Sequence, residues 1–258
     1  GKGLAIEIKK AASDVGPLGS GDPERGYLRR YINSTSSTNA EFGLAQTTAR
    51  QIHDGIHTAV SIDAFIHRHR QSDLLGRLGK VLIAMEVLKA EGQSSMSNTN
   101  WRHFVSDPDS IILQGKKKPS LINPDYTWIG HFFRTLCDGI ENPEDIGKNV
   151  TIICFNYDRC IEHYLLENLS DAYLISREEA QRIVETKIKI IHPYGSLGQI
   201  GLSENDVRNG RLTFGQKIDA TLDIGSLSKD IRTYTEQAHD SEQVREIHEA
   251  IALCKNLV

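Results

Sequence analysis

Val150-Thr151-Ile152-Ile153-Cys154-Phe155-Asn156-Tyr157-Asp158 is the stretch that decides the fold class of this chain. Its first five residues are apolar and rich in β-branched side chains. They predict a buried strand, as in a parallel sheet. The run then breaks at polar Asn156 and Asp158. From Asp158 to Asn168 a helical pattern follows, with Cys160, Ile161, Tyr164 and Leu165 on one face. Ser176-Arg177-Glu178-Glu179 has the form of a capping box and predicts a short helix through Val184. Lys187-Ile188-Lys189-Ile190-Ile191 is the second strand candidate, and it delivers His192-Pro193-Tyr194-Gly195. Strand, helix and strand in this order predict an α/β fold with a Rossmann-like parallel sheet.

Outward from this unit the chain is helical. Leu4, Ile6 and Ile8, followed by Lys9, Lys10 and Ala11, fit either a strand or a helix. Helices are predicted over 40–60, 62–70, 74–90 and 128–140. The third carries Leu78, Leu82, Met85 and Leu88 at helical spacing. A last helix is predicted over 240–257, with Val244, Ile247, Ile251 and Leu257 on one side. The breaker-rich 16–23, the polar 94–100 and the stretch 107–125, with Lys116-Lys117-Lys118, read as loops. There is no internal repeat. The helix-rich part, about 27–147, is predicted to be an insertion or cap subdomain on a Rossmann-like part at about 148–258.

Composition narrows the class. The 258 residues are enough to bury a proper core, and 39% hydrophobic with 25% charged residues is ordinary for a globular protein. A formal net charge of -4 gives no electrostatic case for a nucleic-acid groove. No apolar run approaches the roughly 18 residues of a membrane helix, and the first residues have no secretory apolar region. Cys137, Cys154, Cys160 and Cys254 form no Cys-x-x-Cys pair. Free thiols in apolar stretches fit a reducing compartment, hence a cytoplasmic protein. They do not suit structural zinc, which uses closely paired ligands.

Ligands of open parallel sheets bind beyond the carboxyl ends of the strands. The strand ending at Cys154 delivers Asn156 and Asp158 there, and the strand ending at Ile191 delivers His192. An amide, a carboxylate and an imidazole supply donors and acceptors suited to ribose hydroxyls, a carboxamide or a held water. Each has a plainer alternative. Asn and Asp after a strand often make a turn or a helix N-cap, and a histidine there is often structural. Joint placement at two successive strand ends is what favours a site.

The segment from Thr151 to Glu162 resembles the strand-turn-helix of bacterial sirtuin-like domains, with an Asn-Tyr-Asp after the strand and a Glu in the helix. Ile191-His192-Pro193-Tyr194-Gly195-Ser196-Leu197-Gly198 resembles their histidine motif. Ser61-Ile62-Asp63-Ala64-Phe65-Ile66, Gly79-Lys80 and Glu86 resemble their helical insertion, and Thr233-Tyr234-Thr235-Glu236-Gln237 also matches. The resemblance spans about residues 60–250 and implies that the whole chain is one such domain. It implies NAD as substrate rather than a prosthetic group, and breakage of the nicotinamide–ribose bond. That step develops oxocarbenium character at the anomeric carbon. Nicotinamide is already a cationic leaving group, so the site must orient the ribose and support developing charge. By the same resemblance Asn156 positions the ribose or the attacking water, and Asp158 holds the carboxamide and the loop. His192 bonds the ribose hydroxyls and serves as general base. Tyr157, Tyr194 and Gly195 fall within the matched motifs and are carried over as NAD-binding. Tyr194 is equally readable as a pocket residue or a core aromatic.

The departures from the family point away from protein deacylation. Deacylating sirtuins carry a four-cysteine zinc module that has no counterpart here. Phe155 replaces their Gln, and Pro193-Tyr194 stands between the histidine and Gly195. These features fit the NAD-hydrolysing members that bacteria use against phage. Such members act as oligomers and pair with ATPase or sensor subunits or fused domains. The family opens with a strand and a Gly-Ala-Gly-x-Ser loop that cradles pyrophosphate. By that resemblance Gly3 lies just inside or after this loop, and the sequence is expected to be incomplete at both ends. A module that holds NAD or ADP-ribose without turnover is the competing function, and a deacylase is the third.

His53 and His57 are four apart, a spacing that can hold a metal, but no third ligand is evident. They read as solvated or packing residues. His67-Arg68-His69-Arg70 reads as a solvated basic helix end.

Overall fold

The computed structural model describes residues 2–13, 26–97, 123–219, 222–233, 236 and 241–255. The loop expected at 16–23, residues 107–122 of the one expected at 107–125 and the triple lysine lie outside the described residues. So do Tyr234, Thr235 and Gln237. The first part is helical: α1 Lys2–Ser13, α2 Tyr27–Thr35, α3 Asn39–Gly55, α4 Ile62–Arg68 and α5 Asp73–Gln93. Then come α6 Trp128–Cys137, β1 Thr151–Ile153, α7 Cys160–Ala172, α8 Arg177–Lys187 and β2 Lys189–Ile191. The short α9 Glu204–Arg208 and α10 Ile224–Leu227 precede α11 Ser241–Leu253.

Local chemistry sets these boundaries. Thr38, Ser61, Ser72 and Ser176 each stand just before a helix, and each side chain accepts a bond from a free backbone N–H of its first turn. The α1 ambiguity resolves as a helix. Ile6 is exposed while Ile8 and Ala12 are fully buried, a period of about four rather than two. The helix α5 is apolar nearly all round. From Val81 to Leu88 every residue is buried, against α1, α3, α4 and α10, as suits a central helix.

Two cores form. The first joins α1 to α5 with Leu197, Leu212, Ile218, Ile224 and Ile231. The Tyr27 hydroxyl ties α2 into it, donating to the Leu222 carbonyl (2.6 Å) and accepting from the Ile224 N–H (3.1 Å). The second core joins Ile129 and Phe133 of α6 to Tyr164, Leu165 and Leu169 of α7 and to Ile183 and Val184 of α8. The two cores therefore do not divide the chain near residue 147: α6 packs with the later elements, and 197–231 with the earlier ones.

The chain is mostly helical, and the described residues hold one small sheet of two parallel strands. Thr151, Ile152 and Ile153 pair with Lys189, Ile190 and Ile191, and the Cys154 N–H donates to the Ile191 carbonyl (2.8 Å). The helices α7 and α8 form the crossover. The expectation that Val150 to Cys154 is buried like the interior of a parallel sheet needs correction. Thr151 is exposed, Ile152 and Ile153 are half-buried, and only Cys154 is buried. With two described strands, each has one neighbour and the sheet cannot enclose either. Among the described residues no helix is long and apolar enough to cross a membrane.

Candidate functional site

The turn from Phe155 to Asp158 leaves β1 and meets α4 and α5. Between them lies a cleft of about 660 Å³. Phe155, Asn156, Tyr157, Asp158 and Tyr194 line one side, while Asp63, His67 and Glu86 line the other beside apolar Leu4, Ile62 and Val87. Three of the lining rings lie close together. Phe155 and Tyr157 approach Tyr194 with centroids 6.1 and 6.3 Å apart, both tilted.

Each lining group of the turn has a distinct role. The Asn156 side chain is exposed, and no protein partner holds its amide. The Tyr157 hydroxyl donates to the Asp63 carboxylate (2.7 Å) and to the Arg232 carbonyl (3.3 Å), so it pins the turn to α4. Burial, with the neighbouring Asp63 carboxylate, pushes its phenol well above the ordinary range. One Asp158 oxygen accepts from the Cys160 N–H (3.2 Å). That is the plain turn-and-cap role foreseen for it, yet the residue also lines the cleft. Glu86 is buried there, with Lys89 3.1 Å from its carboxylate.

His192 is placed differently from the expectation. It does not line the cleft but sits behind the turn, its side chain 10% exposed. One ring nitrogen, Nδ1, is 2.9 Å from the Asn156 carbonyl, and the other, Nε2, is 2.6 Å from a Glu162 carboxylate oxygen. Both partners are acceptors, so both nitrogens must carry protons and the ring is an imidazolium. Burial of the ring lowers its pKa. The Cys154 thiol, the Glu162 carboxylate and the Asn156 carbonyl outweigh burial and raise it to about 10. With no free lone pair, His192 cannot take a proton as a general base. His192 holds the backbone of Asn156 in place.

This pairing predicts a pH dependence. A histidine whose pKa is raised on folding contributes stability that is full below its ordinary value, roughly 6.5, and is lost as pH rises through about 10. The melting temperature of the wild type should therefore exceed that of His192→Gln most at pH 6, and the gap should narrow toward pH 10. A gap that stays constant over this range would rule out the imidazolium.

The two glycines carried over by resemblance do not line the cleft. Gly3 lies in the first turn of α1, exposed, next to Leu4. Helical spacing of the buried α1 residues places it there, not in a phosphate loop. Gly195 lies in the turn after His192, at φ 75°, and its N–H donates to the His192 carbonyl (2.9 Å). Its conformation serves that turn. Tyr194, left open between pocket and core, lines the cleft and is half-buried.

Three residues that build this site had no role assigned from the sequence, although Glu162 belongs to the matched motif. Glu162 completes the clamp on His192. Arg159 and Glu91 form a fully buried ion pair (2.6 Å) directly after the turn. Glu91 carried a readable signal: it falls three residues after Leu88 and seven after Ala84, a carboxylate in register with an apolar face. Among the histidines, His53 pairs with Asp54 (2.7 Å) and His57 is exposed. Arg68, His69 and Arg70 are exposed as expected of a helix end, but His67 turns to the cleft. Among the described residues no group of three or more His, Cys, Asp or Glu is placed to hold a metal ion. Compared with protein-family models, curated proteins and solved structures, the chain matches none of them.

Proposed function

We propose that this chain is a sirtuin-like NAD glycohydrolase that cleaves NAD to nicotinamide and ADP-ribose. The observation that carries the reading is the free Asn156 amide. It stands in a cleft between three aromatic rings and the α4–α5 wall, on a turn clamped from behind by His192 and Glu162. In this reading the parallel pair β1–β2 belongs to a Rossmann-like sheet, with the ligand at the carboxyl ends of its strands. The helical part caps it.

The chemistry asked of the cleft is modest. The bond between the anomeric carbon and the pyridinium nitrogen breaks, and its electron pair leaves with neutral nicotinamide. Water adds to the cationic carbon and releases its proton to solvent. Asn156 orients the ribose or the water. Asp63, Glu86 and Asp158 bring carboxylates to the same cleft, where negative charge favours the oxocarbenium. Phe155 and Tyr194 offer faces to the nicotinamide ring. The setting we propose is the bacterial cytoplasm, with NAD depletion as a defence against phage. The active form is a homo-oligomer, with an ATPase or sensor partner. A non-catalytic module that holds NAD or ADP-ribose is the second reading. The locked His192, which supplies no base, is the observation in its favour.

Incubation with NAD, with nicotinamide and ADP-ribose as readouts, tests the proposal. Asn156→Ala should lower kcat by about 100-fold or more while the protein stays folded, because the residue is exposed and the fold draws no hydrogen bond from its amide. Undiminished turnover by this variant would sink the site. No turnover by the wild type, alone or with its partner, would favour the binding module.

A further inference from the structure

We infer that His67 of α4, and not His192, is the imidazole that meets the ligand, and that it does so as a hydrogen-bond donor through Nε2. The inference rests on the cleft being the NAD site as proposed above. His67 lines the cleft opposite Asn156 and Tyr194. Its Nδ1 is buried and has no hydrogen-bond partner. A proton on Nδ1 would place an N–H at that buried position with nothing to accept it. A buried orphan N–H is rarer and costlier than a bare acceptor, so the favoured form carries its proton on Nε2 and leaves Nδ1 bare. Nε2 is then the ring nitrogen free to donate.

The neighbours say what it donates to. Asp63, Glu86 and Asp158 bring acceptors to the cleft, and the Tyr157 hydroxyl is already spent on Asp63. A ligand with its own acceptor oxygens needs neutral donors. The Asn156 amide is one, on the turn, and His67 supplies another from the facing helix. The ligand class that fits is a ribosyl compound whose ribose oxygens bridge the two walls. His192 by contrast acts as a positioning residue, through the Asn156 backbone.

The test compares the full chain with His67→Leu and His67→Gln. Glutamine puts an amide N–H near the place of Nε2, whereas leucine keeps bulk without a donor. KM for NAD and Kd for ADP-ribose by calorimetry are measured beside kcat and melting temperature. His67→Leu should raise KM and Kd by about tenfold, with kcat changed much less, and His67→Gln should recover most of the loss. Unchanged KM and Kd in His67→Leu would overturn the inference. So would equal impairment of both variants with lowered melting temperatures, the mark of a packing role. If the wild type releases no nicotinamide, the proposed activity fails, and the ADP-ribose Kd still decides His67. Loss with leucine and recovery with glutamine support it; no binding by the wild type overturns it.

Discussion

Arg159→Met should cost about 3–5 kcal/mol, a large share of the stability of an ordinary domain. Arg159 and Glu91 are both 0% exposed and joined by two guanidinium contacts, Nε at 3.1 Å and Nη2 at 2.6 Å. The rest of the network leaves little unsatisfied. Arg159 also donates to the carbonyls of Leu212 (2.9 Å) and Thr213 (3.2 Å), while Glu91 accepts from the N–H of Arg159 itself (2.9 Å) and of Gly215 (3.1 Å). Methionine would fill the space but leave a buried carboxylate facing no cation. The double variant Glu91→Leu with Arg159→Met removes that lone charge, so it should be more stable than Arg159→Met alone. It should not reach the wild type, because the N–H groups of residue 159 and Gly215 lose the Glu91 carboxylate that accepts from them. Urea denaturation of the three proteins checks the order. A single variant as stable as the wild type would mean that the pair is not buried as described. The pair also matters to the cleft, because Arg159 directly follows Asp158. It fixes one end of the turn to α5 and to the 212–215 segment.

The sequence announced the elements more readily than their connections. The two strands, the helices around them and the turn at Asn156 follow from apolar period and capping residues, which act over a few positions. Leu78, Leu82, Met85 and Leu88 were enough to place α5. What joins α5 to the turn is a contact between Glu91 and Arg159, separated by 68 residues. No local pattern pairs them. The same holds for Tyr157 with Asp63, which are 94 apart. His192 shows the other limit. Its position at a strand end was legible, and so was the choice between a site residue and a structural one. Which way the ring faces depends on Glu162, one turn into α7, and on the bend of the Asn156 backbone. His67 was hidden by its neighbours: Arg68, His69 and Arg70 make the stretch look like solvated charge, while helical rotation turns only His67 inward. The strand pair was read as more deeply buried than it is because Ile152 and Ile153 are apolar whichever face is covered. Composition alone does not count the strands beside them.

Gly195→Ala should be among the most damaging single substitutions in the chain, at about 3 kcal/mol or more, because two separate costs coincide. The first is conformational. At φ 75° any residue with a Cβ is strained, for roughly 1–2 kcal/mol. The second is steric. A Cβ there would overlap the Asp230 carbonyl oxygen and come within 2.9 Å of its carbon. That carbonyl has little room to retreat. Ile231, the next residue, is fully buried in the first core, and the Arg232 N–H is bonded to the Tyr194 carbonyl at 2.9 Å. Relief must come from the 192–195 turn itself, which carries Tyr194 into the cleft and the His192 clamp behind it. Gly198 provides the control. It has a similar φ of 79°, but nothing lies within 4 Å of the place its Cβ would take. Gly198→Ala should therefore show the conformational cost alone, roughly 1 kcal/mol. Thermal and urea unfolding of the two variants separate the terms. If Gly195→Ala loses no more stability than Gly198→Ala, the close approach of Asp230 is not a constraint. If it loses far more, the proposed NAD turnover should fall too in the surviving folded protein, since displacement of the turn moves Tyr194 and loosens the carbonyl of Asn156 from His192.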